Sequence, residues 1–149
     1  MPSILIVDDS AQLRRSMQLL LRSIGYTTHA ASDGEQGIET AIKLGTEICA
    51  VLMDLEMPKV DGWSAMRTLR ARGFTAPILL CTGQSRCPKF EDFDGRLVKP
   101  FTVDELLDAL ESVGLKTADR RGTLAASASN KCDQETDYRG LENELPSQQ

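Results

Sequence analysis

The feature that most constrains this chain is an alternation of two kinds of segment, with no internal sequence repeat. A short, continuous apolar run ends at a polar break, and a stretch follows whose apolar residues recur every three or four positions. Residues 3–7 read as a buried strand, and Asp8-Asp9-Ser10 follow as a polar break able to cap a helix. That helix carries Leu13, Met17, Leu20, Leu21 and Ile24 on one face and stops at Gly25. Residues 26–31 have the length and threonine content of a second strand. Ser32 with Glu35 offers a capping box to a second helix with Ile38, Ala41 and Ile42 as its buried stripe, closed by Gly45.

The alternation then continues. Residues 48–53 form an apolar run that ends in Asp54, Met57-Pro58 and Asp61-Gly62 interrupt regular structure, and a helix is predicted over 63–72. Residues 76–81 make a fourth strand ending at Thr82, and residues 96–98 a fifth leading into Lys99-Pro100. Thr102 and Glu105 make the capping box of a last helix that ends near Leu115, with Phe101 and Leu106 as its hydrophobic staple. Short, mostly apolar strands alternating with amphipathic helices predict an α/β fold: a five-stranded parallel sheet, doubly wound, with helices on both faces. The expected topology is flavodoxin-like, order 2-1-3-4-5.

The fourth crossover is short. Between Thr82 and residues 96–98 stands Gly83-Gln-Ser-Arg-Cys-Pro-Lys-Phe-Glu-Asp-Phe-Asp-Gly95, with Pro88 and poor helical periodicity. A helix with loops at each side does not fit there, so it is expected to be shortened or replaced by a loop, with Phe90 and Phe93 tucking that loop onto the sheet. From Lys116 onward the periodicity fades, which predicts a folded domain over 1–116 and a polar, disordered tail over 117–149.

Other classes are disfavoured by bulk properties. A net charge of -5 with no basic cluster argues against non-specific attraction to nucleic acid or anionic membranes. No positive segment precedes the apolar residues 4–7, and no apolar run reaches membrane-spanning length, so a cytoplasmic protein is expected. The irregular spacing of Cys49, Cys81, Cys87 and Cys132 fits reduced thiols, the first two as small core residues. His29 reads as structural, Trp63 and Met66 as core or helix face.

In open α/β sheets, sites form beyond the carboxyl ends of the strands. Here those positions hold Asp8 and Asp9, Asp54, Thr82 and Lys99. Carboxylates converging from separate strands repel one another unless a cation sits among them, and Mg2+ suits a site with few protein ligands and several waters. A carboxylate beside such an ion can attack phosphorus while a nearby lysine offsets charge on the phosphoryl oxygens, and Thr82 can hydrogen-bond one of them.

The arrangement resembles the receiver domain of two-component response regulators. The resemblance spans residues 3–115 and rests on Asp8-Asp9, on Asp54 within Leu52-Met-Asp-Leu-Glu-Met-Pro58, and on Asp61-Gly62, Thr82 and Lys99-Pro100. It implies that Asp54 is the phosphoacceptor and that Asp9 and Asp54 contact Mg2+, with Asp8 helping through water and the Glu56 backbone carbonyl as a further ligand. It also implies that Thr82 is the switch residue, that Lys99 binds the phosphoryl group and that the Lys99-Pro100 bond is cis. The implied partners are a sensor histidine kinase or a histidine phosphotransfer protein and an unidentified downstream protein, with no nucleic acid and no membrane. The protein is expected to be a single-domain switch rather than a metabolic enzyme, a monomer or weak dimer. Two departures stand out. The fourth crossover is only partly similar to a receiver subgroup with Pro and Thr-Gly around strand four, here Pro77 and Thr82-Gly83, and Arg96 stands where receivers usually place an aromatic switch residue. The alternatives are a receiver-like scaffold that is never phosphorylated and a haloacid-dehalogenase-like phosphohydrolase, suggested by Asp54-x-Glu56.

Overall fold

A computed structural model describes residues 3–84 and 91–115. Cys87, Pro88, Phe90, Cys132 and the tail expected over 117–149 lie outside the described residues. The elements run β1 (Ser3–Val7), α1 (Ala11–Ser23), β2 (Thr27–Ala31), α2 (Gly34–Leu44), a 3-10 turn (Gly45–Glu47), β3 (Ile48–Asp54), α3 (Gly62–Ala71), β4 (Ile78–Thr82), β5 (Gly95–Val98) and α4 (Val103–Ser112). All strand pairs are parallel, and the sheet order is β2-β1-β3-β4-β5, the flavodoxin-like order expected.

Strand alternation divides the core into two layers. Leu5, Val7, Val51, Met53, Ile78 and Leu80 pack with α2 and α3 through Ile38, Ala41, Ala65, Met66 and Leu69. Ile4, Ile6, Leu52, Leu79, Cys81 and Leu97 pack with α1 and α4 through Met17, Leu21, Leu106 and Leu110. One register shift breaks the pattern: Ser3 pairs with Ile48 but Ile4 with Ala50. The irregularity at Cys49 turns Ile48 to the α2 and α3 side, together with Val51 and Met53.

The caps explain where the helices begin. Ser10 caps α1 by accepting from the Leu13 amide, and Thr102 with Glu105 forms the full capping box expected for α4. Phe101 and Leu106 are both buried in one cluster, as the staple requires. Replacing Thr102 by Ala is expected to lower stability by about 1 kcal/mol, measured by urea denaturation, because the Glu105 amide loses its acceptor.

Several expectations need correction. The cap of α2 is Asp33, whose carboxylate accepts from the Gln36 amide, not Ser32; the Gln36 side chain instead receives the Ser32 amide. Ile42 is 40% exposed, because it sits one position past Ala41 and rotates off the buried stripe. Strand β2 starts at Thr27 and β4 at Ile78, since Tyr26 closes the α1 terminus by donating to Leu21 and Pro77 precedes the ladder. Helix α3 begins at Gly62, and α4 gives way at Ser112 to a turn in which the Leu115 amide donates to Leu110. Cys81 is buried as expected, but Cys49 only half-buried, and both are free thiols.

Among the described residues there is no α-helix between β4 and β5. The chain re-enters β5 through Glu91–Asp94, pinned at three points. Phe93 is buried in the α2 and α3 layer, Asp92 accepts from Trp63 Nε1 at 2.7 Å, and Asp94 accepts from Arg70 at 2.6 Å and from the Ile78 amide at 2.8 Å. Trp63 therefore stands on a half-exposed helix face, with Arg67 stacked 4.8 Å from its ring centroid. No described helix is long and apolar enough to cross a membrane.

Candidate functional site

Register brings the expected residues together. Val7 pairs with Met53, Asp54 with Cys81, and Thr82 with Val98, so the residues one step past β1 and β5 and at the ends of β3 and β4 share one edge. Parallel neighbours lie about 4.8 Å apart, which puts side chains of these four strands within mutual reach. The Lys99 amide donates to the Thr82 carbonyl at 2.7 Å and extends the ladder by one residue, and the Lys99-Pro100 bond that follows is cis, as expected.

Lys99 Nζ bridges two carboxylates. It lies 2.9 Å from Asp8 Oδ2 and 3.3 Å from Asp54 Oδ1. Asp8 is buried and fully engaged: its Oδ1 accepts from the Ser10 amide at 2.8 Å, and its backbone carbonyl accepts from Arg14 at 2.7 Å. Asp9 is exposed, yet one carboxylate oxygen from each of Asp8, Asp9 and Asp54 lies within 4.8 Å of the others. Thr82 is 1% exposed, and its hydroxyl accepts from the Gln84 amide at 3.2 Å.

The electrostatics follow from three carboxylates facing one ammonium. Burial pushes the Asp54 carboxyl up to about 6, and Asp8 adds to that; Lys99 opposes the rise, while Asp9 contributes a smaller push upward. For Lys99 burial is the strongest single influence and acts downward, but Asp8 and Asp54 together outweigh it and hold the ammonium above its ordinary range. Lys99, Asp8 and Asp54 also line a small, mostly apolar cavity together with Leu13, Leu52 and Phe101. Burial likewise pushes the Cys81 thiol up to about 12, which leaves it inert.

Hard oxygen donors, a shortage of positive charge and a partly exposed member in Asp9 together fit a divalent cation such as Mg2+. A consequence is measurable in metal-free protein. Because the folded value for Asp54 lies above the unfolded one, its contribution favours the fold below about pH 4 and is lost as pH rises through about 6. Asp54→Asn should therefore stabilise the metal-free protein at pH 7.5, by about 1–2 kcal/mol after allowing for solvent screening, and leave it nearly unchanged at pH 4.5. Thermal melts with EDTA check this; added Mg2+ should reverse the order by stabilising only the native sequence.

Sequence reasoning missed two contacts. Arg14, which grips the Asp8 carbonyl, looked like one charge among several on α1, and nothing local marks it. Gln84 donates from Nε2 to Glu56 Oε1 at 2.6 Å, linking the segments after β3 and β4 across the mouth of the site. Arg96, where an aromatic was to be expected, is exposed on β5 opposite Leu80.

Helices on both faces of a 2-1-3-4-5 parallel sheet, with a polar site at the carboxyl edge, define the CheY-like class of flavodoxin-like domains. The chain belongs to the response regulator receiver domain family of two-component systems, whose profile matches residues 4–111. Among curated proteins it is 34% identical over 127 residues to the DNA-binding dual master transcriptional regulator RpaA of Synechocystis, covering 80% of this chain and 52% of that protein. It is 31% identical over 112 residues to the regulatory protein AtoC of Escherichia coli, covering 69% of this chain and 23% of that one. The chain thus spans about half or less of these relatives' lengths. Among solved structures, Vibrio cholerae chemotaxis protein CheY4 is 29% identical with a TM-score of 0.68, covering 76% of this chain and 98% of that one. Thermotoga maritima response regulator TrrA, in complex with Mg(2+)-BeF, is 28% identical with a TM-score of 0.69, covering 76% of this chain and 99% of that one.

Proposed function

We propose that Asp54 accepts a phosphoryl group from a histidine kinase or histidine phosphotransfer protein and that the resulting change is read by a protein partner. The observation that carries this reading is the joint seating of Asp54 and Asp8 on Lys99 Nζ, with Asp9 beside them at the edge of the sheet. Asp54 Oδ attacks phosphorus, a P–O bond forms, the P–N bond to the donor imidazole breaks, and that ring nitrogen keeps the electron pair and takes up a proton. Lys99, already 3.3 Å from Asp54 Oδ1, would offset charge on the phosphoryl oxygens, and the Thr82 hydroxyl would hydrogen-bond one of them. Asp9, Asp54 and the Glu56 carbonyl would hold Mg2+, with Asp8 helping through water. Mg2+ bound there supplies positive charge that offsets the phosphoryl oxygens and the crowded carboxylates.

The Mg(2+)-BeF complex of TrrA supports this ion by likeness. Output through protein contacts in the cytoplasm fits the net charge of -5, whereas DNA binding is a property named for a relative that this chain spans only to 52%. The chemistry is that of a switch that catalyses its own phosphorylation and dephosphorylation. Unlike a haloacid-dehalogenase nucleophile, Asp54 ends the third strand, with the acidic pair supplied by the first. Phosphoryl uptake from acetyl phosphate should require Mg2+ and fall to background with EDTA. Uptake at the same rate without a divalent ion would overturn the ion's role, and absence of uptake under all conditions would favour a constitutive scaffold.

A further inference from the structure

We infer that Gly34, at the first turn of α2 and outside the acidic site, is a positioning residue that seats the loop carrying Glu56 against the phosphoacceptor. The inference rests on the reading of Asp54 given above.

The loop of residues 55–61 leaves β3 at Asp54 and returns to α3. Its base is closed: the Gly62 amide donates to the Leu55 carbonyl at 2.8 Å, and a Cβ on Gly62 would overlap the Asp54 carbonyl oxygen. Its far end is folded tightly, with Lys59 at φ 70 and the Val60 amide donating to the Pro58 carbonyl at 2.9 Å. That end rests on α2. A Cβ built on Gly34 would overlap the Val60 carbonyl oxygen and come within 3.0 Å of Val60 Cβ, while Lys59 Nζ lies 3.7 Å from the carboxylate of the α2 cap, Asp33.

The consequence of a side chain at position 34 depends on which partner yields. Helix α2 cannot retreat easily in the direction of the sheet, because a Cβ on Gly37, one turn further on, would stand 2.9 Å from Val7 Cγ1, and Ile38 and Ala41 are locked in the core layer. The loop is the softer element, with Glu56, Pro58 and Lys59 all exposed. Any added atom at position 34 therefore moves the loop, and with it the Glu56 backbone next to Asp54. Displacements of this kind matter because transfer depends on near-attack geometry.

The test compares Gly34→Ala with Ala41→Gly in the full chain. The second change weakens the same helix, at a buried position of the same layer, without adding an atom near the loop. Uptake from acetyl phosphate with Mg2+ is followed by intact mass, and amide exchange is followed over residues 55–61. Gly34→Ala is expected to slow uptake about 10- to 100-fold and to speed exchange in the loop, while Ala41→Gly stays within about twofold of the native rate. Unchanged exchange in Gly34→Ala, faster exchange with native uptake, or equal slowing by both variants overturns the inference while leaving Asp54 as acceptor intact. If the native chain takes up nothing, the functional reading falls and the inference with it. Should Gly34→Ala unfold in buffer, the same assays are run in a stabilising osmolyte. A chain that stays unfolded there while Ala41→Gly folds would show that Gly34 carries the fold as a whole, and would also overturn the positioning role.

Discussion

An Asp54→Asn chain is expected to take up no phosphoryl group from acetyl phosphate and Mg2+ under conditions in which the native chain is labelled, with loss to background level. The amide keeps the size and most of the hydrogen bonding of the carboxyl but cannot supply the attacking oxygen anion. Asp8 does not substitute, because its oxygens are committed to Lys99 and the Ser10 amide. Asp9 does not substitute either, being exposed and outside the salt bridges of Lys99. Labelling of the variant at more than a small fraction of the native level would place the acceptor elsewhere.

The second large effect concerns Lys99. Replacing it by Met keeps the length of the stem and its cover over the small cavity but removes the only ammonium within salt-bridge reach of Asp8 and Asp54 among the described residues. At neutral pH two buried carboxylates then face each other without a counter-charge, which costs about 3 kcal/mol, the usual scale for breaking a buried pair from one side. The loss has a sign with pH. Without Lys99 the carboxyl of Asp54, already pushed up to about 6, rises further, so protonation relieves the repulsion at acid pH. The destabilisation measured by denaturant titration should therefore shrink as pH falls from 7.5 toward 4.5, and Mg2+ should restore part of it. A deficit that is constant over that range would mean that packing, rather than charge, is what Lys99 supplies. Phosphoryl uptake should slow sharply in the same variant.

These effects were largely legible in the sequence because the fold places function at strand ends. Once continuous apolar runs identified a parallel sheet, the residue after each run became a candidate, and Asp8, Asp54, Thr82 and Lys99 are all found on one edge. The cap of α4 was legible for a simpler reason: Thr102, Glu105, Phe101 and Leu106 act on one another within five residues. The absence, among the described residues, of a helix between β4 and β5 agrees with the short spacing between Thr82 and Lys99 and the poor helical periodicity of the segment between them.

What was not legible depends on contacts distant in sequence or on a single step of phase. Ser32 and Asp33 are both competent caps, with Glu35 and Gln36 each three residues on, and only the path of the chain out of β2 selects the second pair. Ile42 fails to join the core because a helix turns 100° per residue and Ala41 already fills the inward position. The register shift at Cys49 leaves no mark in an apolar run. Nor does any pattern in the sequence announce that the Val60 carbonyl rests on Gly34 or that Arg14 holds the carbonyl of Asp8.

The central claim is that the acidic edge of the sheet carries its phosphoryl group on Asp54. Borohydride reduction of freshly labelled protein, followed by peptide mapping, tests it most directly, because an aspartyl phosphate is converted to homoserine where it stood. Homoserine confined to position 54, and dependent on Mg2+ during labelling, is the predicted result. Homoserine at position 8 or 9, or a stable phosphoryl group on a hydroxyl with position 54 unmodified, would contradict it.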